Sequence, residues 1–285
     1  LVGLDKASFV APDLYLQGER ILSPTIIPTN LMKQALHNGQ PVIGTMVAEF
    51  RQPAVMQLLK NAGFQAVIID NEHGPFSIET IADLSRTARY IGLTPIVRVP
   101  DLAYPYLAQS LDAGAQGIML PRVYSPDQVR QAVEIMKYPP LGRRGCALSR
   151  GQMDFKSGSL ADTMATANDE TLLIVQIETK EAVTNIEAIV TIPGVDVALI
   201  GPTDLSISLG IPGELTSPLL HAAIETTLAA CQRSDVFPAI HINDLDQAVY
   251  WAKKGMRFVS SSAEVGLLVR GGLEVTSTIR QGFEA

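Results

Sequence analysis

From about residue 30 to the end of the chain, short apolar runs alternate with stretches whose apolar residues recur at helical spacing. The runs are Val42–Met46, Ala66–Asp70, Pro95–Val99, Gly117–Leu120, Leu172–Ile177, Val197–Ile200, Ala239–Ile242 and Phe258–Ser261. Many of their residues are β-branched, and several runs are apolar throughout. That is the pattern of parallel strands buried on both faces, rather than the in–out alternation of a half-exposed sheet. The helical stretches carry readable ends. Ser125-Pro126-Asp127-Gln128 combines a capping serine, a proline in the first turn and a glutamine at the capping-box position, and Asp244 with Gln247 repeats the logic. Gly63, Gly92, Gly114 and Gly255 fall where helices should stop. The unbroken alternation predicts an α/β fold, a single-domain (β/α)8 barrel over residues 29–285. A doubly wound open sheet is the alternative, because periodicity does not report closure.

Three segments stand apart from the repeat. Residues 1–28 carry several prolines and little periodicity and read as an irregular N-terminal extension. Residues 139–170 read as a long loop inserted after the fourth unit, opening with Pro139-Pro140-Leu141-Gly142-Arg143-Arg144-Gly145 and continuing polar. Loops of that length in a compact domain are usually functional or mobile. Val265 to Ile279 has apolar residues at helical spacing and reads most simply as the eighth barrel helix.

Length and composition sharpen this picture. The 285 residues suffice for one barrel, which takes roughly 250, plus an extension. Hydrophobic residues at 47% against 18% charged supply a large core and argue against disorder. A net charge of -7 without a Lys/Arg run argues against nucleic acid as a partner. No apolar run reaches the roughly 18–20 residues of a membrane span, and charges at Asp5, Lys6, Asp13, Glu19 and Arg20 interrupt the start of the chain as no signal peptide is interrupted. The two cysteines, Cys146 and Cys231, form no CxxC pair and read as reduced thiols of a cytoplasmic protein.

In parallel α/β folds the chemistry lies at the carboxyl ends of the strands. There the second run ends in Asp70-Asn71-Glu72-His73-Gly74, the third reaches Arg98, the fifth ends in Gln176-Ile177-Glu178, and the sixth is followed by Gly201-Pro202-Thr203-Asp204. Singly, each has an ordinary structural role: Asp204 as a helix N-cap, Arg98 as an ion-pair partner, His73 on a loop carbonyl. Together they place carboxylates, an imidazole and a guanidinium around one mouth, which favours an active site.

The segments Ile69-Asp70-Asn71-Glu72-His73-Gly74, Val97-Arg98-Val99-Pro100, Leu111-Asp112-Ala113-Gly114-Ala115-Gln116-Gly117, Tyr138-Pro139-Pro140, Gln176-Ile177-Glu178-Thr179 and Ile200-Gly201-Pro202-Thr203-Asp204-Leu205-Ser206 resemble the signature segments of the HpcH/HpaI aldolases, in their order and with nearly their spacing. That family includes the 4-hydroxy-2-oxoheptanedioate and 2-dehydro-3-deoxyglucarate aldolases, and macrophomate synthase is a relative. The likeness runs from about Leu31 to the C-terminus. It implies a carbon–carbon lyase, a metal-dependent pyruvate aldolase, with Glu178 and Asp204 as ligands of a divalent metal. Hard carboxylates without cysteine suit Mg²⁺ or Mn²⁺, with Co²⁺ a third candidate. The metal would act as a Lewis acid on a pyruvate enolate, with Arg98 beside the same oxyanion. Gln176, two residues from Glu178 on one strand, shares its face. With Met46, Thr203, Asp204 and His241 it would contact substrate. Asp70 and His73 resemble an acid/base pair, the carboxylate orienting the imidazole toward the 4-hydroxyl of the substrate. Asp112 would belong to a neighbouring subunit's site in a trimer or hexamer that exchanges C-terminal helices.

Four positions depart from the family's pattern. Met46 stands where relatives often have Trp, His241 where an aliphatic residue is expected, Arg122 where an apolar residue is common, and Glu264 where Asp is usual. They bear on the aldehyde half of the site. Arg143 and Arg144 could meet an acidic substrate or belong to a solvated loop. Three readings follow: reversible aldol cleavage of a 4-hydroxy-2-oxo acid to pyruvate and an aldehyde; another use of the same enolate, such as oxaloacetate decarboxylation or macrophomate-synthase-like C–C bond formation; and a catalytically silent barrel, which would not need Asp70, His73, Arg98, Glu178 and Asp204 together.

Overall fold

A computed structural model of the chain describes residues 15, 16, 19, 20, 26–147 and 149–284. Its parallel strands β1 (Val42–Val47), β2 (Ala66–Asp70), β3 (Thr94–Arg98), β4 (Gly117–Leu120), β5 (Leu172–Ile177), β6 (Val197–Ile200), β7 (Phe237–His241) and β8 (Phe258–Ala263) close into a barrel, β8 pairing with β1. The (β/α)8 barrel is therefore the fold, and the open sheet is excluded. Two strands begin earlier than the apolar pattern indicates, at Thr94 and Phe237. Each has a proline second, near the strand start, where the missing N–H is tolerated.

Period two along the strands divides the core into two layers. One face of each strand points into the lumen, where Val42, Met46, Ala66, Ile68, Ile96, Met119, Leu172, Ile174, Val197, Leu199, Ala239 and Phe258 pack together. The other face, with Val67, Ile69, Val97, Ile118, Leu173, Val175, Ala198 and Ile240, packs against the surrounding helices. Helix α1 (Leu31–His37) adds Met32 and Leu36 to the lumen layer, and the Met32 N–H donates to Thr94 Oγ1 at the start of β3. This helix stoppers the foot of the barrel.

Helices α2 (Ala54–Asn61), α3 (Ile78–Tyr90), α4 (Tyr104–Ala113), α5 (Pro126–Met136), α10 (Pro218–Gln232) and α11 (Leu245–Lys254) ring the barrel. Their ends follow the sequence logic. Ser125 accepts from the Gln128 N–H and Asp244 from the Gln247 N–H. Gly114 and Gly255 are C-caps, at φ of 120° and 118° that other residues rarely adopt. Short helices α7 (Lys180–Thr184) and α8 (Ile186–Val190) follow β5, and α9 (Pro202–Ser208) follows β6. Asp204 is not the cap of α9. Gly201 holds that place without a side-chain bond, and Asp204 lies in the first turn with its side chain unused for capping.

Two expectations are corrected. The 139–170 segment is not one loop, for it contains helix α6 (Leu160–Glu170), with Ser159 accepting from the Asp162 N–H. Its C-terminal end is fixed by buried polar bonds: Lys137 Nζ donates to the carbonyls of Asn168 and Thr171, both at 2.6 Å, and Asn168 bonds both the N–H and the carbonyl of Tyr138. The C-terminal segment does not cover its own barrel either. Helix α12 runs Glu264–Glu284, and every residue from Leu268 to Phe283 is exposed. Of the predicted extension, residues 1–14, 17, 18 and 21–25 lie outside the described residues. Tyr15–Leu16 pairs antiparallel with Glu19–Arg20.

Candidate active site

The lumen turns from apolar to polar as it rises. On β2, Ala66 and Ile68 are followed by Asp70; on β3, Ile96 by Arg98; on β5, Leu172 and Ile174 by Gln176 and then Glu178; on β7, Ala239 by His241. Steps of two keep each of these on the inward face, so alternation carries the apolar plug into a polar mouth. Asp70, Arg98, Gln176 and Glu178 are all buried there.

Arg98 is the centre of the cluster. Asp70 and Arg98 are register partners on adjacent strands. Nε of Arg98 donates to Asp70 Oδ1 at 2.8 Å and Nη2 to Oδ2 at 2.7 Å, while Nη1 lies 3.2 Å from Glu72 Oε2. Burial pushes the Asp70 carboxyl up, but the Arg98 hydrogen bonds and charge, helped by the His73 and Glu72 N–H groups, hold it below its ordinary value. Burial pulls the Arg98 guanidinium down, but the Asp70 hydrogen bonds and the charges of Asp70, Glu72 and Glu178 more than offset it and hold it above its ordinary value.

Glu178 faces Arg98 from across the mouth. Its Oε1 accepts from the Arg122 N–H at 2.6 Å and its Oε2 from Gln176 Nε2. Burial, opposed by the Arg122 N–H and reinforced by the charges of Asp204 and Glu72, pushes its carboxyl up to about 7. A carboxylate in that setting calls for a compensating cation. Gly201 lets Gln176 and Glu178 lie against the turn after β6: a Cβ there would lie 3.0 Å from both Gln176 Nε2 and Glu178 Oε2. Gln176 Oε1 is buried with no hydrogen-bond partner among the described residues. A desolvated carboxylate, a second carboxylate within electrostatic reach and an unsatisfied amide oxygen together suit a hard divalent ion. Among the described residues no three His, Cys, Asp or Glu side chains form a fuller ligand set.

The acid/base pair expected from the sequence is not made as expected. Both Asp70 oxygens are taken by Arg98, and the His73 N–H, not its imidazole, approaches Asp70 Oδ1 at 3.4 Å. The imidazole is largely exposed, with Nε2 3.9 Å from Glu72 Oε2. Glu72 is the carboxylate beside His73, and it also receives Arg122 Nε at 3.1 Å. Sequence reading gave Glu72 no role of its own and placed Arg122 only among the departures bearing on the aldehyde half of the site. Arg122 acts through its backbone: at φ 51°, a left-handed conformation, it turns its N–H onto Glu178, while Nη2 reaches the Pro100 carbonyl at 2.5 Å. Nothing in the residue type announces that conformation.

The remaining candidates divide. Met46 walls the lumen and His241 stands beside it, its Nδ1 2.9 Å from Ser260 Oγ. Thr203 and Asp204 are exposed at the rim. Asp112 is absent from this mouth. It lies near the far end of α4 and pairs with Arg144 at 2.5 Å, so Arg144 is a buried structural residue, stacked over Tyr138, whereas Arg143 is solvated on Glu134. Glu264 accepts from the N–H groups of Ala48, Glu49 and Phe50 and so shapes the loop after β1.

The family model for HpcH/HpaI aldolase/citrate lyase matches residues 46–270, which include this whole mouth. The chain belongs to that family. A hydroxypyruvate/pyruvate aldolase of Roseobacter denitrificans is 32% identical over 255 residues, 90% of this chain and 99% of that protein. A 4-hydroxy-2-oxo-heptane-1,7-dioate aldolase of Salmonella dublin is 34% identical over 245 residues, 85% of this chain and 91% of its own length. The solved HpcH/HpaI aldolase of Desulfitobacterium hafniense superposes with a TM-score of 0.83 at 32% identity, covering 87% of this chain and 96% of that one. The enzyme class expected from the sequence, an aldolase and so a carbon–carbon lyase, is that of the family. No described helix is long and apolar enough to cross a membrane.

Proposed function

We propose that the chain is a divalent-metal-dependent aldolase of the cytoplasm that cleaves and forms 4-hydroxy-2-oxo acids through a pyruvate enolate. The observation that carries this is the buried guanidinium of Arg98, locked by Asp70 and Glu72, facing Glu178 and its neighbour Asp204. Glu178 and Asp204 would hold Mg²⁺, Mn²⁺ or Co²⁺, which when bound supplies the Lewis-acid charge that stabilises an enolate. Arg98 sets a second, fixed positive charge beside the enolate oxygen, already oriented and so needing no reorganisation as charge develops. Gln176 Oε1 would accept from the 4-hydroxyl of the substrate or from a water beside it. The backbone at Thr203 and Asp204 takes the carboxylate of that acid, and Met46 and His241 bound the space beyond.

In cleavage, His73 takes the proton from the 4-hydroxyl, the C3–C4 bond breaks, and its electron pair passes into the enolate of pyruvate. The aldehyde leaves with the new carbonyl. In synthesis His73 returns the proton to the alkoxide. Glu72 lies close to the imidazole, and in cleavage the enolate then takes a proton at C3 to leave as pyruvate. The test is pyruvate with Mg²⁺ or Mn²⁺ and a panel of aldehydes, read by product mass. Absence of any condensation product, with the folded protein, rules the reading out.

One observation favours a second use of the same half-site. Arg98 and Glu178 are buried and hydrogen-bonded, whereas His73 is exposed and loosely held. Decarboxylation of oxaloacetate, or addition of the enolate to another electrophile, needs the first set and not the second. Oxaloacetate alone, assayed in parallel, measures this activity. The active assembly is a closed homo-oligomer, a trimer or hexamer, in which α12 is exchanged and Asp112 approaches a neighbour's mouth.

A further inference from the structure

His241 and Ser260 form a polar pair in the lumen that neither enolate stabilisation nor the acid/base step uses. They are register partners on β7 and β8, so both side chains rise on the same inward face. Their floor is apolar, made by Ala239 and Phe258 two residues below on the same strands. On the β1 side that floor is closed, since a Cβ at Gly44 would come within 2.6 Å of the Phe258 ring. Ser260 is fully buried, and its Oγ fixes the imidazole through Nδ1 at 2.9 Å. The other ring nitrogen, Nε2, makes no hydrogen bond to the described residues, and His241 retains some exposure toward the mouth.

An aliphatic side chain would fill this place against Ala239 and Phe258 with no polar atom to satisfy. An imidazole there must find a partner for Nε2 or leave it unpaired, and only what enters the mouth can supply one. Burial and the neighbouring charge of Arg98, against the opposing pull of Asp70, bring the imidazole down to about 4, so at neutral pH it is an uncharged ring. Neutral imidazole suits a hydroxyl, which can donate or accept, better than it suits an anion. The depth of the pair, at the level of Asp70 and Arg98, leaves room for a small group only.

We propose that His241, anchored by Ser260, is a specificity-determining residue that hydrogen-bonds a hydroxyl on the carbon next to the carbonyl of the electrophile, selecting small 2-hydroxyaldehydes over alkyl aldehydes of the same size. This rests on the aldolase reading of the same mouth. A site built to bond a hydroxyl rejects the analogue without it far more strongly than an apolar pocket rejects an added hydroxyl.

Glycolaldehyde and propanal, equal in heavy atoms, test it in condensation with pyruvate, the readout being the ratio of their kcat/KM values. The wild type should favour glycolaldehyde by at least about tenfold, and His241→Leu should reduce that ratio by about tenfold or more. His241→Gln, which keeps a donor and an acceptor at that depth, should retain most of the preference, and Ser260→Ala should fall between, because the ring loses its anchor. Exchange of the pyruvate C3 protons in D₂O without aldehyde is measured on each variant, so that a loss of enolate formation is read apart from a change in the aldehyde ratio. An unchanged ratio in His241→Leu with exchange intact overturns the assignment alone. A wild type with neither exchange nor condensation overturns the aldolase reading, and this assignment with it. Should His241→Leu fail to fold, the Gln and Ala variants decide on the same ratio.

Discussion

Arg98 holds both oxygens of the Asp70 carboxylate, Oδ1 through Nε at 2.8 Å and Oδ2 through Nη2 at 2.7 Å. The fork fixes the plane of the guanidinium and leaves Nη1 for Glu72. A lysine keeps the charge and loses the plane. Arg98→Lys should therefore slow even the exchange of pyruvate C3 protons, by about a hundredfold, the usual loss for one preorganised donor. Deuterium incorporation followed by NMR checks it, and exchange at the wild-type rate would remove Arg98 from the enolate site.

The proposed metal dependence is tested at Glu178 and Asp204. Activity should vanish with excess chelator and return with Mg²⁺, Mn²⁺ or Co²⁺. Glu178→Gln and Asp204→Asn should each weaken Mn²⁺ binding by about tenfold or more, since a neutral amide is a poor partner for a hard cation. Calorimetric Mn²⁺ titration reads this without turnover. Unaltered Mn²⁺ affinity in both variants would rule them out as ligands.

His73 separates the two reactions. His73→Ala should lower aldol cleavage by about a hundredfold, within the range for a lost general base, and oxaloacetate decarboxylation by much less, because that reaction has no 4-hydroxyl to deprotonate. Glu72→Gln should share the direction of the effect, given Glu72's place beside the imidazole. Equal losses in both reactions would reject the acid/base role.

The strands were legible because a strand buried on both faces has no polar position to interrupt it, so Ala66–Asp70 and Leu172–Ile177 stand out as runs. The inward polar residues at the strand ends were legible too, being the one break in those runs. What stayed hidden depends on groups distant in sequence or on loop conformation. Helix α6 is secured by Lys137 and by Asn30, whose Nδ2 bonds the Glu170 carbonyl at 2.9 Å across 140 positions. Its own polar sequence resembles a loop. The Arg122 backbone and the turn that sends Asp70 to Arg98 rather than to His73 leave no periodic trace.

Lys137 gives a stability test with a defined sign. Burial, only partly offset by Asp196, lowers its ammonium from the ordinary 10.5 to about 8. Between those values the unfolded chain binds a proton that the folded chain does not, so this group makes stability rise with pH across the window and fall again as pH drops through 8. The full difference is about 3 kcal/mol, taken as an order of magnitude. The neutral amine can still donate to the Asn168 and Thr171 carbonyls. Urea unfolding of wild type and Lys137→Met at pH 7.5 and 10 isolates the term, because other titrations are common to both proteins. Wild type should gain on the variant at the higher pH; no change in their difference would remove Lys137 as the source.

Assembly is tested at α12. Glu264 binds the loop after β1 and Arg270 Nη2 donates to Ser262 Oγ at 3.1 Å, yet Leu268 and Leu273 are each 63% exposed and Ile279 55%. Leu268, Val275 and Ile279 recur on one face of the helix, and an exposed apolar stripe of that length suits contact with another copy. Exchange between subunits buries the stripe without exposing a new patch. Truncation before Val265 keeps Glu264 and its bonds to Ala48, Glu49 and Phe50, so the barrel itself should still fold. The oligomer should dissociate, and activity should fall as Asp112 loses its place beside a neighbour's mouth. Mass per particle by light scattering, with the condensation assay on the same sample, measures both. A truncated protein that stays folded and fully active, with subunit number unchanged, would show that α12 has no part in assembly.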